Sequence, residues 1–221
     1  MQWKNLFFLH WRAEPARLRS FLPPGLQLDT YQDQAYLGLI ALTMHKLRPS
    51  FGPALPWLSS FTQVNLRTYV RDAHGDRAVF FLRLETDQPL AAWLAQRWFG
   101  LPYHRASFKQ HRASSGQAEL PAARAGLTRL GRFAWEPRGS EFAAPSDSLE
   151  YFLTERYRLV VLRGRLRTVA IHHRPFSLRQ ADVLSWDSGP LVRTGLPVPV
   201  EPPASALAAG ETQVGIFGLT G

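Results

Sequence analysis

The sequence predicts a mainly β fold of the α+β type, carried by a single domain. Three observations predict it. Residues 63–71 alternate strictly, with Gln63, Asn65, Arg67, Tyr69 and Arg71 on one face and Val64, Leu66, Thr68 and Val70 on the other. A turn-forming stretch, Asp72 to Asp76, joins this strand to a second one, Ala78 to Glu85, as an antiparallel hairpin requires. Only two stretches carry apolar residues at helical spacing, and both are short.

Taken in order, Leu6 to Leu9 reads as a short buried strand. Glu14 to Leu22 reads as a helix, with Pro15 in its first turn and Pro23-Pro24-Gly25 ending it. Ala35 to Met44 is an apolar strand. Arg48 to Phe61 mixes prolines with Phe51, Leu55, Trp57 and Leu58, an apolar loop that either covers the core or lids a cavity. After the hairpin, Thr86 or Asp87 caps a second helix that runs to Gly100. Strand patterns follow from Tyr103 to Ala113 and from Tyr151 to Ile171, with hairpins and loops expected between Ser114 and Ser148. Beyond Trp186, the repeated prolines suggest edge strands or an extended tail, so a Pro-rich C-terminal segment is set at about 190–221 within one domain of 1–221.

Composition narrows the function. With 45% hydrophobic residues and seven tryptophans, a chain of 221 residues can fill a core. The absence of cysteine excludes a disulfide framework, a thiolate nucleophile and Cys-ligated zinc. No run approaches the roughly 18 apolar residues that span a membrane. The apolar run at Leu6 is too short for a signal-peptide core, so a cytoplasmic protein without a membrane partner is expected. The formal charge of +9 invites a nucleic-acid reading. The arginines are scattered without a block of like charge, which favours a solvated basic surface instead.

Several segments together resemble a known family. Leu18-Arg19-Ser20-Phe21-Leu22-Pro23-Pro24-Gly25-Leu26-Gln27-Leu28-Asp29 is similar to an opening pattern of the acetoacetate decarboxylase-like proteins. His10-Trp11, Val64 to Val70, Leu101-Pro102-Tyr103, Phe152 to Tyr157 and His172 before Pro175 resemble the uncharacterised bacterial YqjF-like proteins grouped with that fold. The resemblance implies a closed or cone-like antiparallel β barrel with a central cavity and a few flanking helices.

The decarboxylases of that fold use a lysine Schiff base, with a second lysine lowering the pKa of the first. The matching stretch here is Leu101-Pro102-Tyr103-His104, so Tyr103 and His104 stand where the resemblance implies the two lysines. Phe61-Thr62-Gln63 matches a segment that carries a pocket glutamate, and Tyr36 to Leu39 holds no carboxylate either. Schiff-base decarboxylation is therefore not expected, with Lys109 the one substitute, on the same strand face as Tyr103 by alternation.

If Gln63 faces the cavity, alternation puts Asn65, Arg67 and Tyr69 beside it, a polar stripe suited to a small-molecule pocket. Arg67 would grip a carboxylate with its forked guanidinium. The plain alternative is a solvent-facing stripe. The candidate ligand-binding residues are Gln63, Asn65, Arg67, Tyr103, His104 and Arg156. Tyr103, Glu155 and His172 are candidate acids and bases, although a carboxylate beside an arginine, as in Glu155-Arg156, is more often a structural ion pair. Adjacent His172 and His173 point to opposite faces, and the spacing of His10, His104 and His172 requires no metal; no cofactor is implied. The expected partner is a small carboxylate-bearing molecule. A lysine-independent enzyme acting on a keto or enol acid, a nucleic-acid binder, and a homo-oligomeric module docking through Phe51 to Phe61 are the alternatives.

Overall fold

The N-terminal apolar run lies inside a longer strand in the computed structural model, which describes residues 1–47, 60–72, 74–108, 128–130 and 132–220. The elements are β1 (Gln2–Ala13), α1 (Pro15–Arg19), β2 (Gln27–Leu28), β3 (Ala35–His45), β4 (Ser60–Arg71) and β5 (Arg77–Thr86). Next come α2 (Pro89–Phe99), β6 (Tyr103–Arg105), β7 (Thr128–Leu130), β8 (Phe133–Phe142), α3 (Leu149–Thr154), β9 (Arg158–Arg163) and β10 (Arg165–His173). β11 (Leu178–Ser185), α4 (Gly189–Thr194), β12 (Ser205–Ala209) and β13 (Thr212–Thr220) complete the described chain.

The sheet closes on itself. β1, β3, β4, β5, β9, β10 and β13 form a ring, because β13 pairs both with β10 and with Gln2 and Trp3 of β1. From β1 a branch of β12, β11, β8 and β7 folds back over the ring's outer face. There Phe7, Leu9, Leu37, Leu39, Val64 and Leu66 pack against Phe133 and Trp135. The Phe7 and Trp135 rings stack with centroids 4.5 Å apart. Inside the ring, Tyr69, Val79, Leu159, Val161, Val169 and Val214 meet Phe152 and Leu153 of α3. Both faces of β4 are therefore covered, and its alternating stripe is interior.

The hairpin of β4 and β5 is formed as expected. Several other expectations are corrected. The ring is not wholly antiparallel or evenly closed: β5 meets β9 in parallel, through Val79↔Leu159 and Phe80↔Val160 alone. The stretch from Tyr151 begins as a helix, because Ser148 caps it by accepting from the Tyr151 N–H at 3.1 Å and Glu150 sits in the first turn. The strand from Tyr103 ends at Arg105, and Ala106 to Phe108 lie outside it. The C-terminal segment is neither tail nor edge. Pro190 starts α4, the other prolines fall between α4 and β12, and β12 sits between β1 and β11. Residues 48–59, the apolar loop, and 109–127, which include Lys109, lie outside the described residues. No described helix is long and apolar enough to cross a membrane.

Candidate functional site

Strand register sets the site. One interior rung runs His10, Gly38, Arg67, Phe81 across β1, β3, β4 and β5. The next runs Phe8, Ile40, Asn65, Leu84, Tyr103, ending on β6. Gln63 follows one rung beyond, opposite Leu42 and Thr86. The Tyr103 hydroxyl donates to Gln63 Oε1, which ties β6 to β4. Two local features shape the surroundings of Arg67. Gly38 lets the His10 ring and the Tyr69 hydroxyl close in over β3, since a Cβ there would lie 3.1 Å from the one and 3.2 Å from the other. On the other side, a β-bulge between Leu66 and Arg67 interrupts the pairing with β5 and re-aims the strand.

Arg67 is 8% exposed. Its Nη2 donates to the Leu153 carbonyl at 2.8 Å, an acceptor shared with the Tyr69 hydroxyl at 2.8 Å. Its Nε finds no acceptor, and among the described residues no carboxylate pairs with it. Two neighbours are in the same position. Both ring nitrogens of fully buried His10 and the Oδ1 of Asn65 have no hydrogen-bond partner among the described residues. Burial, and then the Arg67 charge, hold the His10 pKa well below its ordinary value, so the imidazole is neutral. Burial pushes the Tyr103 phenol up, so it stays protonated and acts as a donor. The result is a buried cation and an amide on β4 and a neutral imidazole on β1, on the same interior face and with unmet hydrogen-bonding capacity. Such groups cost about 1–3 kcal/mol each when left unpaired, and their clustering makes this the candidate site.

The other candidates lie elsewhere. Glu155 is buried, but its oxygens accept from the Phe176 N–H at 2.9 Å and from the Tyr157 hydroxyl. It thereby fixes Phe176, which packs edge-on against Phe8. The expected pairing of Glu155 with Arg156 is not formed. Arg156 donates to Asp29 at 2.7 Å, and Arg71 and Arg77 reach the same buried carboxylate at 3.1 and 3.7 Å. Arg156 also lies over the Phe152 ring at 4.3 Å and the Tyr69 ring at 4.9 Å, on a structural network rather than beside Gln63. His104 and His172 are both exposed, His172 against Phe217, so neither joins the cluster with buried His10. Among the described residues no three His, Asp or Glu side chains gather as a metal would need. His10 is the residue that sequence reasoning left off the ligand-binding list. Its signal was a single polar residue inside the apolar stretch from Leu6 to Trp11.

Comparisons with known proteins agree with this architecture. The model of the DUF2071 family, described as an uncharacterized conserved protein, matches residues 1–212. The chain is 34% identical over 181 residues to the uncharacterized protein YqjF of Bacillus subtilis, covering 81% of this chain and 74% of that protein. Among solved structures it is similar to the enduracididine biosynthesis enzyme MppR complexed with pyruvate, at 14% identity and a TM-score of 0.60, covering 99% of this chain and 88% of that one. It is also similar to acetoacetate decarboxylase from Legionella pneumophila, at 10% identity and a TM-score of 0.58, with 99% and 88% covered. At such identities the likeness is one of fold, which is acetoacetate decarboxylase-like.

Proposed function

This chain belongs to the DUF2071 family, which includes YqjF, and from that premise we propose that it binds a small carboxylate-bearing organic molecule at Arg67, without Schiff-base decarboxylation. The observation that carries the reading is the Arg67 guanidinium itself: buried, without a carboxylate partner among the described residues, and with an unmet Nε donor on the same interior face as His10 and Asn65. A guanidinium donates only, so the missing group is an acceptor, and an anion best compensates its desolvation. A carboxylate meets both needs. The Asn65 Oδ1 accepts only, so a ligand with a hydroxyl near its carboxylate completes the match. Tyr103 at the position matching the lysine nucleophile, together with exposed Lys46 and the ion-paired Lys4, supports the absence of an imine-forming amine among the described residues, Lys109 lying outside them.

Calorimetric titration with pyruvate and lactate tests this reading, with Arg174→Met as an exposed control. Saturable binding that weakens at least tenfold in Arg67→Met, and not in the control, is expected. Equal affinity in all three proteins would refute it. Borohydride added with acetoacetate is expected to trap no adduct; a labelled lysine would restore the imine chemistry.

A second reading is favoured by His10. A neutral imidazole beside a cation that holds a carboxylate is suited to move a proton on a keto or enol acid. Exchange of the pyruvate methyl protons with deuterated water, lost in His10→Leu, is the expected sign of it. An unchanged exchange rate in that variant would remove it.

A further inference from the structure

We infer that the ligand of the Arg67 site is amphipathic, a monocarboxylic acid with an alkyl or aryl tail, and that the tail lies in the split between β5 and β9. The inference rests on the binding reading above and adds the ligand's class. The split follows from register. β5 and β9 pair only at Val79↔Leu159 and Phe80↔Val160, after which β5 turns to β6 and β9 continues paired with β10 on its other side. Where they part, a cleft of about 350 Å³ opens. Its described lining carries no charged side chain; Phe21, Phe81, Leu82, Leu101, Val161 and Leu162 form most of it. The loop Gly100 to Pro102 forms another part, and Gly100 allows close approach to β9, where an added Cβ would lie 3.1 Å from the Leu162 carbonyl oxygen.

Two residues join this cleft to the polar cluster. Phe81 lines the cleft, yet it pairs with Arg67 across the bulge and packs with the interior aromatic cluster. Leu101 lines the cleft and packs with Tyr103, the donor to Gln63. Polar head and apolar wall are thus neighbours on one rung. A molecule with only a carboxylate would leave the apolar surface, including Leu162 at 51% exposure, in water. A tail of several carbons covers it, and an acid supplies the anion that Arg67 lacks.

The test is a titration series from acetate through butyrate and hexanoate to octanoate, with phenylpropionate added. Each methylene is expected to tighten binding about fourfold until the cleft is filled. Leu162→Gln, at an exposed position of the cleft, should flatten this dependence, read as the ratio of octanoate to pyruvate affinity within the same variant. Phe21→Gln provides a second cleft variant, and circular dichroism checks the fold of both. If pyruvate binds through Arg67 but chain length has no effect, the tail inference fails and the binding reading stands. A chain-length effect untouched by both variants would overturn the cleft as its location. If no acid binds at all, both readings fail.

Discussion

Replacing Arg67 by methionine should remove anion binding without weakening the fold. The substitution keeps an unbranched chain of similar length and deletes the guanidinium. It loses one charge-assisted hydrogen bond to the Leu153 carbonyl, worth about 1.5–3 kcal/mol. That carbonyl keeps the Tyr69 hydroxyl as donor, so no acceptor is orphaned. The contact of Arg67 with the Tyr69 ring, at 5.5 Å, adds a loss on the order of 1 kcal/mol. Against these stand the desolvation of a buried cation with no carboxylate partner, several kcal/mol, and the unmet Nε, about 1–3 kcal/mol. The balance is unchanged stability or a gain of up to about 2 kcal/mol. Such an exchange of stability for function is common where a site holds unpaired polar groups. Urea unfolding followed by tryptophan fluorescence measures it. A loss greater than about 3 kcal/mol, the size seen when a paired buried charge is broken, would show that Arg67 is a structural ion and refute the reasoning.

Three further predictions follow from the same geometry. His10 has its folded pKa held below an unfolded value of about 6.5, so below that pH the unfolded chain binds a proton that the folded chain refuses. Stability should therefore fall as pH drops from 6.5 to 5, by up to about 1.4 kcal/mol per pH unit from this group, and His10→Leu should reduce that slope; an unchanged slope would contradict the neutral buried imidazole. Asp29→Asn should cost about 3–5 kcal/mol because it strips the buried partner from Arg156, whereas Arg77→Met, half-exposed and 3.7 Å away, should cost less than about 1 kcal/mol. Equal effects in denaturant unfolding would show that the network is not centred on Asp29. Gly38→Ala should cost about 1–3 kcal/mol by crowding His10, Ile40 and Tyr69, and a crystal structure of it with unmoved neighbours would refute the tight fit.

The β4–β5 hairpin was legible because strict alternation survives even where both faces are buried: one stripe is apolar, the other polar and interior. The alternation did not say which face met water, and the branch of β12, β11, β8 and β7 that covers the apolar side is a matter of long-range pairing. α3 was read as strand because Tyr151, Phe152 and Leu153 carry no helical period over six residues; the cap by Ser148 and the acid at Glu150 were the available signs. Prolines at 197, 199, 202 and 203 masked the two C-terminal strands, although all four fall in one connection. Within the site, Gln63, Asn65, Arg67 and Tyr103 were found from alternation and resemblance. His172 and His104 were not excluded, since local sequence does not reveal which strand face closes the ring. Arg156 sought its charge partner in Asp29, distant in sequence, and not in its neighbour Glu155.

The central claim is that Arg67 is the anchor for a carboxylate inside the ring. A crystal structure of the protein soaked with pyruvate tests it most directly. The account predicts a carboxylate oxygen about 3 Å from Arg67 Nε, with His10 and Asn65 in contact with the same molecule. Pyruvate bound only on the outer surface, or an Arg67 Nε already capped by an acceptor of the chain itself, would contradict it.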